Sequence, residues 1–169
     1  MPNHRFPCIA SIALIASLAV AAPALAAGSR ASTACNGTVA SRVVIVTNAY
    51  RESLGLHDLK VVPTLSAFAA AHASDMARHA ILTHSSSTGL SFSQRAHASS
   101  YRFTTMRENV AVESGPLPAA LGPNLWSLWR HSPEHDANMR ARDVTQIGVA
   151  VVAGRTGCYA SMVLAGPSS

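Results

Sequence analysis

The end of the chain carries the pattern that most constrains the fold. Ile147, Val149 and Val151 lie at alternate positions, and a second extended run covers residues 159–164. Residues 154–157, Gly-Arg-Thr-Gly, form a turn signal between the two runs. Two extended runs joined by a short segment that contains glycine predict a β-hairpin.

Helical patterns precede this hairpin. Apolar residues recur at helical spacing over residues 41–54, with Ser41 as the candidate cap, and over residues 63–80, with Pro63 at the start. Further helices are expected at residues 92–98, 117–130 and 133–139, with a break or a new start at Pro123, whereas residues 101–112 show no clear period. Helices first and a hairpin last predict an α+β domain rather than alternating βαβ units.

The first 26 residues have the features of a secretory signal peptide. A short basic start is followed by an almost wholly apolar run over residues 6–22, and then by small residues at an Ala-x-Ala spacing. The run is slightly short for a membrane span of about 20 residues, although an uncleaved anchor is the alternative. We expect cleavage after Ala26 or Ala27, a secreted or periplasmic location, and no membrane span afterwards.

The chain that remains suits one domain. Residues 27–40 are small and polar and read as a flexible lead-in, and residues 41–166 are expected to form the folded domain. Cys8 is lost with the signal peptide, which leaves Cys35 and Cys158 as an even pair in a chain bound for an oxidising compartment. We therefore predict a Cys35–Cys158 disulfide.

Charge argues against a nucleic-acid partner. The formal net charge is +5, and loss of Arg5 with the signal peptide makes it +4. The arginines are scattered and Lys60 is the only lysine, whereas a nucleic-acid arm usually clusters its basic residues. We expect a monomer with an ordinary solvated surface.

Histidine is abundant in a chain with only 12% charged residues. His72 and His79 lie seven positions apart on one helix face, which is interpreted as packing, and His57 and His97 are given no role. The stronger candidates are listed here: His84, at the end of a helical pattern; His135, in the segment 129–138; and Glu108, whose only charged neighbour is Arg107. Two imidazoles and a carboxylate are a plausible ligand set for a zinc-type ion, with water completing the shell. Periodicity alone does not bring these three together.

At these positions the sequence resembles the CAP superfamily, which includes cysteine-rich secretory proteins, and in particular its short bacterial members. The matching pieces are residues 48–51, 55–59, 72–73, 83–85, 108–111, 129–138 and 147–150, with Leu65, Ala69, Met76 and Tyr101 between them. Each piece is short, but their order and spacing together are specific and span about residues 41–165.

The resemblance implies an α-β-α sandwich with a three-stranded antiparallel sheet between helices. It also implies a cleft in which His84, Glu108 and His135 hold a divalent metal such as zinc, while Asn109 braces the backbone. Animal members place a second glutamate where this chain has Ser132. Asp136 departs from the usual bacterial arginine, and either supplies the missing carboxylate or caps a short helix.

The family does not share one established reaction, so membership alone gives no function. We expect a binding protein before an enzyme, with a metal and a small or lipid-like ligand in or near the cleft. No Gly-x-Ser-x-Gly motif is present, and no free thiol is expected after pairing. The alternatives are a cell-surface interaction module without chemistry and a hydrolase in which Glu108 takes a proton from metal-bound water.

Overall fold

A computed structural model describes residues 35–115 and 117–168 of this chain. The predicted signal peptide, and the lead-in up to residue 34, lie outside the described residues. The elements in chain order are α1 (Gly37–Ser53), β1 (Lys60–Val61), α2 (Pro63–His79), α3 (Phe92–His97), β2 (Phe103–Ser114), α4 (Leu121–Arg130), α5 (Pro133–Arg140), β3 (Gln146–Ala153) and β4 (Gly157–Pro167).

Helix α1 begins earlier than the sequence suggested. The side chain of Asn36 accepts hydrogen bonds from the backbone N–H groups of Thr38 and Val39, at 2.9 and 3.3 Å, and so caps the helix. The predicted lead-in is therefore wrong for residues 37–40, which are helical. Ser41, predicted as the cap, lies inside the helix and donates to the carbonyl of Gly37 at 2.9 Å.

The other helix boundaries follow local sequence signals. Pro63 occupies the start of α2, as predicted, and Ala80 ends that helix in the left-handed conformation at φ 54°. Ser91 and Gln94 form a reciprocal capping box at the start of α3. Helix α4 starts at Leu121 rather than at residue 117, which places Pro123 in its first turn, where the missing N–H removes no helical hydrogen bond.

The sheet has four strands in the order β1-β3-β4-β2. Strands β3 and β4 form the predicted antiparallel hairpin, and β2 pairs antiparallel with the other side of β4. The predicted three-stranded antiparallel sheet is confirmed, but a fourth strand extends it. This strand is β1, only two residues long, which runs parallel to β3.

Helices cover both faces of the sheet, so the predicted α-β-α sandwich is confirmed. On one face α1, α4 and α5 pack with residues such as Ala111, Leu125 and Ile147 around the largest apolar cluster. On the other face α2 packs against β3 and β4, with Leu65 and Val163 among its buried contacts. α3 lies against α2, where the rings of Phe92 and Phe68 are 6.2 Å apart.

Two features fix the first helical layer. The Cys35–Cys158 disulfide is present, with 5.6 Å between the Cα atoms, and joins the start of α1 to β4 across 123 residues. The guanidinium of Arg51 in α1 is buried and donates to the carbonyls of Met139 and Ala141, both at 2.9 Å. Arg51 therefore satisfies carbonyls at the end of α5 and ties that helix to α1.

Over residues 35–115 and 117–168, no helix combines the length and apolar character that a membrane crossing requires.

Candidate functional site

The candidate site lies at the edge of the sheet formed by β2. Successive side chains of a strand point to opposite faces, so Glu108 and Asn109 are directed to different helical layers. Val110 packs with α2 residues and Ala111 with the α4 and α5 residues, which fixes the direction of each alternate position. Glu108 accordingly faces the α2 layer, and Asn109 faces α5.

Glu108 holds His84, which follows α2. The Nδ1 atom of His84 lies 3.0 Å from Oε2 of Glu108. Because a carboxylate can only accept, Nδ1 carries the proton in this bond, and the Nε2 atom of a neutral His84 has a free lone pair. The side chain of Glu108 is 1% exposed, whereas that of His84 is 50% exposed. The carboxylate is therefore an internal anchor, and the imidazole faces the surface.

Arg95 is the partner of Glu108 that the sequence did not reveal. Its Nη2 atom donates to Oε1 and Oε2 of Glu108 at 3.1 and 2.9 Å, and also to the carbonyl of His84 at 2.9 Å. The guanidinium carbon lies 5.4 and 5.5 Å from the ring centroids of Phe68 and Phe92, which gives it cation–π contact on two sides. No sequence period marks this residue, since α3 has only six residues.

His72 lies behind the same carboxylate. It is buried in α2, in line with its predicted packing role, and its Nε2 atom is 2.7 Å from the carbonyl of Thr83 and 3.9 Å from Oε2 of Glu108. Ser161 of β4 donates to Oε1 of Glu108 at 3.4 Å. These contacts surround a buried carboxylate with donors, as its burial requires.

Asn109 holds the second histidine from the opposite layer. Its Nδ2 atom donates to the backbone carbonyl of His135 at 3.0 Å, and its Oδ1 atom accepts from Asn138 at 2.9 Å. The rings of His84 and His135 are 6.0 Å apart between centroids. Burial, and next the neighbouring His84, lower the pKa of His135, while Glu134 acts in the opposite direction. His135 is thus favoured in its neutral form.

Asp136 and Ser132, the other two residues expected to support the cleft, have contacts of their own. The Asp136 carboxylate accepts from Tyr50 at 2.9 Å and pairs with Arg140 at 2.8 Å and with Arg130 at 3.4 Å. These partners favour the second of the two expected roles, in which Asp136 stabilises the short helix, over supply of a cleft carboxylate. Its negative charge sits in the first turn of α5, where the helix dipole favours it.

Ser132 is the residue before α5, and its side chain makes no capping bond. It lines a separate surface pocket of about 530 Å³ together with Glu113 and His131.

The geometry limits how a metal could be held. In the part of the chain that the structure describes, no three His, Cys, Asp or Glu side chains are grouped as metal ligands. Both oxygens of Glu108 are already engaged by Arg95 and one by His84, so the three-residue set does not fit as arranged. What the structure does bring together is the pair of imidazoles of His84 and His135, 6.0 Å apart between ring centroids, with Glu108 hydrogen-bonded to His84.

The comparisons with known proteins agree with the fold. The sequence pattern of CAP, the cysteine-rich secretory protein family, matches residues 44–165. The chain therefore belongs to the CAP family. None of the curated proteins matches the chain in sequence.

Solved bacterial structures share the fold at low sequence identity. An outer surface protein from Borrelia burgdorferi is 19% identical, with a TM-score of 0.68, over 78% of this chain and 95% of that one. An extracellular SCP-domain protein from Bacillus anthracis is 19% identical, with a TM-score of 0.66, over 77% of this chain and 41% of that one. A cysteine-rich secretory protein from Staphylococcus aureus is 18% identical, with a TM-score of 0.59, over 78% and 39%. This chain spans less than half of the last two.

Proposed function

We propose that the chain is an exported CAP-domain binding protein whose cleft takes a divalent metal ion such as zinc between His84 and His135. The observation that carries this proposal is the 3.0 Å contact between Nδ1 of His84 and Glu108. Because this contact places the proton on Nδ1, the lone pair of Nε2 is the one that can bind a metal ion. Metal-bound histidines commonly donate their other ring N–H to a carboxylate in this way. The lowered pKa of His135 suits the same role, because only neutral imidazole binds a metal.

In this proposal Glu108 orients His84 and is not itself a ligand. Two imidazoles supply part of a tetrahedral zinc shell, and water or a ligand completes it. The ion would add a positive charge and open coordination positions at the surface of the cleft. Arg95 neutralises the buried carboxylate, so the protein's own charge at this point is already balanced.

A binding role is favoured over hydrolysis. A general base must reach the proton that it abstracts, directly or through one water. The Glu108 side chain is 1% exposed, and Arg95 contacts both of its oxygens. This carboxylate is placed to hold a histidine rather than to take a proton.

Export is supported by the disulfide and by the location of proteins with similar structures. A disulfide that closes 123 residues is typical of an oxidising compartment. The similar structures from Borrelia burgdorferi and Bacillus anthracis are described as outer surface and extracellular proteins. We therefore place the chain outside the cytoplasm.

The test is a calorimetric titration of the mature chain with zinc. The wild type is expected to show a site that His84→Ala and His135→Ala both abolish. Glu108→Gln is expected to weaken it by about 10- to 100-fold, as for other outer-shell partners. His97→Ala is the matched control, because His97 is exposed and its Nδ1 atom contacts the carbonyl of Ser93 in its own helix. No heat in the wild type, or full binding in His84→Ala, would reject the metal proposal.

A further inference from the structure

Asn36 and Gly37, at the start of α1, form a pair that can react with itself. Asn36 is the only one of the six asparagines of the chain that is followed by glycine. We propose that Asn36 is a site of covalent modification, at which the side-chain amide is lost as ammonia and an aspartate or isoaspartate remains. This inference goes beyond the proposed function and does not involve the cleft of His84 and His135.

The reaction needs only these two residues and water. The backbone nitrogen of Gly37 gives up its proton and attacks Cγ of Asn36, which forms an N–Cγ bond and places negative charge on Oδ1. The bond from Cγ to Nδ2 then breaks, and Nδ2 takes up the proton and leaves as ammonia. The cyclic imide that results takes up one water molecule. Opening at Cγ gives aspartate, whereas opening at the backbone carbonyl carbon of Asn36 gives isoaspartate.

The attacking nitrogen is not engaged by the helix. Gly37 is the first residue of α1, and the N–H groups of a first helical turn have no acceptor within the helix. Among residues 35–115 and 117–168, no acceptor lies within hydrogen-bond distance of Gly37 N, although Val39 N and Ala40 N both donate to the Asn36 carbonyl, at 3.1 and 3.2 Å. No atom from another part of the chain lies within 4 Å of where a Gly37 side chain would begin. The nitrogen is therefore neither bonded nor crowded from that side.

The bonds that cap the helix act on the group that is attacked. Oδ1 of Asn36 accepts from the backbone N–H groups of Thr38 and Val39, at 2.9 and 3.3 Å. Attack at Cγ places negative charge on this same oxygen, so donors that are already in place stabilise the transition state. The positive end of the helix dipole acts in the same direction. Asn36 and Gly37 are both exposed, which gives water access to the imide and lets ammonia leave.

Ring closure requires only a local movement. The backbone of Asn36 is extended, at φ −148° and ψ −177°, so the Gly37 nitrogen must turn towards Cγ. Opening at the end of a helix costs little free energy. Cys35 is held by its disulfide to Cys158, which keeps the preceding residue in place while the first turn opens. The reaction is therefore expected in the folded chain and does not require unfolding.

The test is incubation of the folded, disulfide-bonded mature chain at pH 8, followed by peptide mapping with mass spectrometry. The peptide that contains Asn36 is expected to gain one mass unit and to separate into aspartate and isoaspartate forms, the first of which should coelute with the peptide from Asn36→Asp. Asn124 is exposed but followed by Leu125, and as the internal control it should react at least about tenfold more slowly. Gly37→Ala should slow the reaction of Asn36 by about tenfold or more, because the added methyl group restricts the backbone beside the attacking nitrogen.

The opposite results are equally distinct. An Asn36 peptide that keeps its mass would overturn the site. Equal rates at Asn36 and Asn124, or in Gly37→Ala and the wild type, would overturn the role of Gly37. Aspartate without isoaspartate would show that water attacks Cγ directly, which contradicts the proposed reaction. His84→Ala should be modified at the wild-type rate, so the outcome does not depend on the metal site.

Discussion

Glu108 and Asn109 are consecutive residues, yet each holds a histidine from a different helical layer. Glu108 lies 3.0 Å from Nδ1 of His84, and Asn109 donates to the carbonyl of His135 at 3.0 Å. The alternation of a single edge strand thus joins two parts of the chain that lie far apart in sequence. The site depends on the register of β2, because a slip by one residue would exchange the two faces.

Replacing Asn109 should destabilise the domain. Asn109→Ala removes two hydrogen bonds that a fully buried side chain makes. The His135 carbonyl and the Asn138 amide are then left with fewer partners. We expect a loss of about 2–3 kcal/mol in the free energy of unfolding, measured by chemical denaturation. Asn124→Ala, at an exposed position in α4, should change it by less than about 0.5 kcal/mol. Equal effects of the two variants would contradict the bracing role.

The Arg95–Glu108 pair should be worth more than a surface pair. Arg95→Met leaves a carboxylate that is 1% exposed without its cation and should cost about 3 kcal/mol. Adding Glu108→Gln should recover part of that loss, because the buried charge is then removed as well. The matched surface pair is Arg107–Asp143, where Asp143→Asn should cost less than about 1 kcal/mol. Similar losses at both pairs, followed by denaturant unfolding, would rule out this difference.

Asp75 should make the stability sensitive to acid. Burial alone would raise its pKa, but the hydrogen bonds from Ser87 and the charges of His79 and Arg78 bring the pKa below its ordinary value of 3.8. Its stabilising effect is therefore complete above that value and is lost as the pH falls through the lower pKa of the folded state. Asp75→Asn should show a shallower fall in the free energy of unfolding between pH 5 and pH 3.

The control for this experiment is Glu52→Gln, since Glu52 is exposed on α1. It should follow the wild-type acid profile closely. An Asp75→Asn profile that is parallel to the wild type would show that the Ser87 bonds do not depend on the charge.

Breaking the disulfide should lower the stability considerably. The bond closes 123 residues, and the loss of unfolded-state entropy for so long a loop corresponds to about 4–5 kcal/mol, although measured values are often smaller. Denaturation of the mature chain with and without a reductant should show this difference, and Cys35→Ala combined with Cys158→Ala should abolish it. Two titratable thiols in the untreated protein would contradict the pairing.

Local patterns predicted the regular parts of the fold. The alternation of Ile147, Val149 and Val151 identified the hairpin, and Pro63 marked the start of α2. Strand β2 was missed because polar and apolar residues do not alternate along it: Thr104 and Thr105 are adjacent, and residues 107–109 are three polar residues in a row. β1 was missed because two residues before a proline give too little pattern to detect.

The candidate site was less accessible to sequence reasoning. His84, Glu108 and His135 were chosen with help from a family resemblance, since no period links them. Arg95 was overlooked because its role depends on where a six-residue helix docks, which local sequence does not encode. The two roles of Asp136 could not be separated, because its partners Tyr50 and Arg130 come from α1 and α4, and only the packing of three helices brings them together.

The position of β4 has a consequence for how the domain is made. This strand lies between β2 and β3 and is their only shared neighbour, yet it is the last of the four strands in chain order. Both edge strands, β1 and β2, therefore precede β4 in synthesis. β2 cannot pair within the sheet until β4 has been synthesised. The four-stranded sheet of the described residues is therefore completed only once β4 is present.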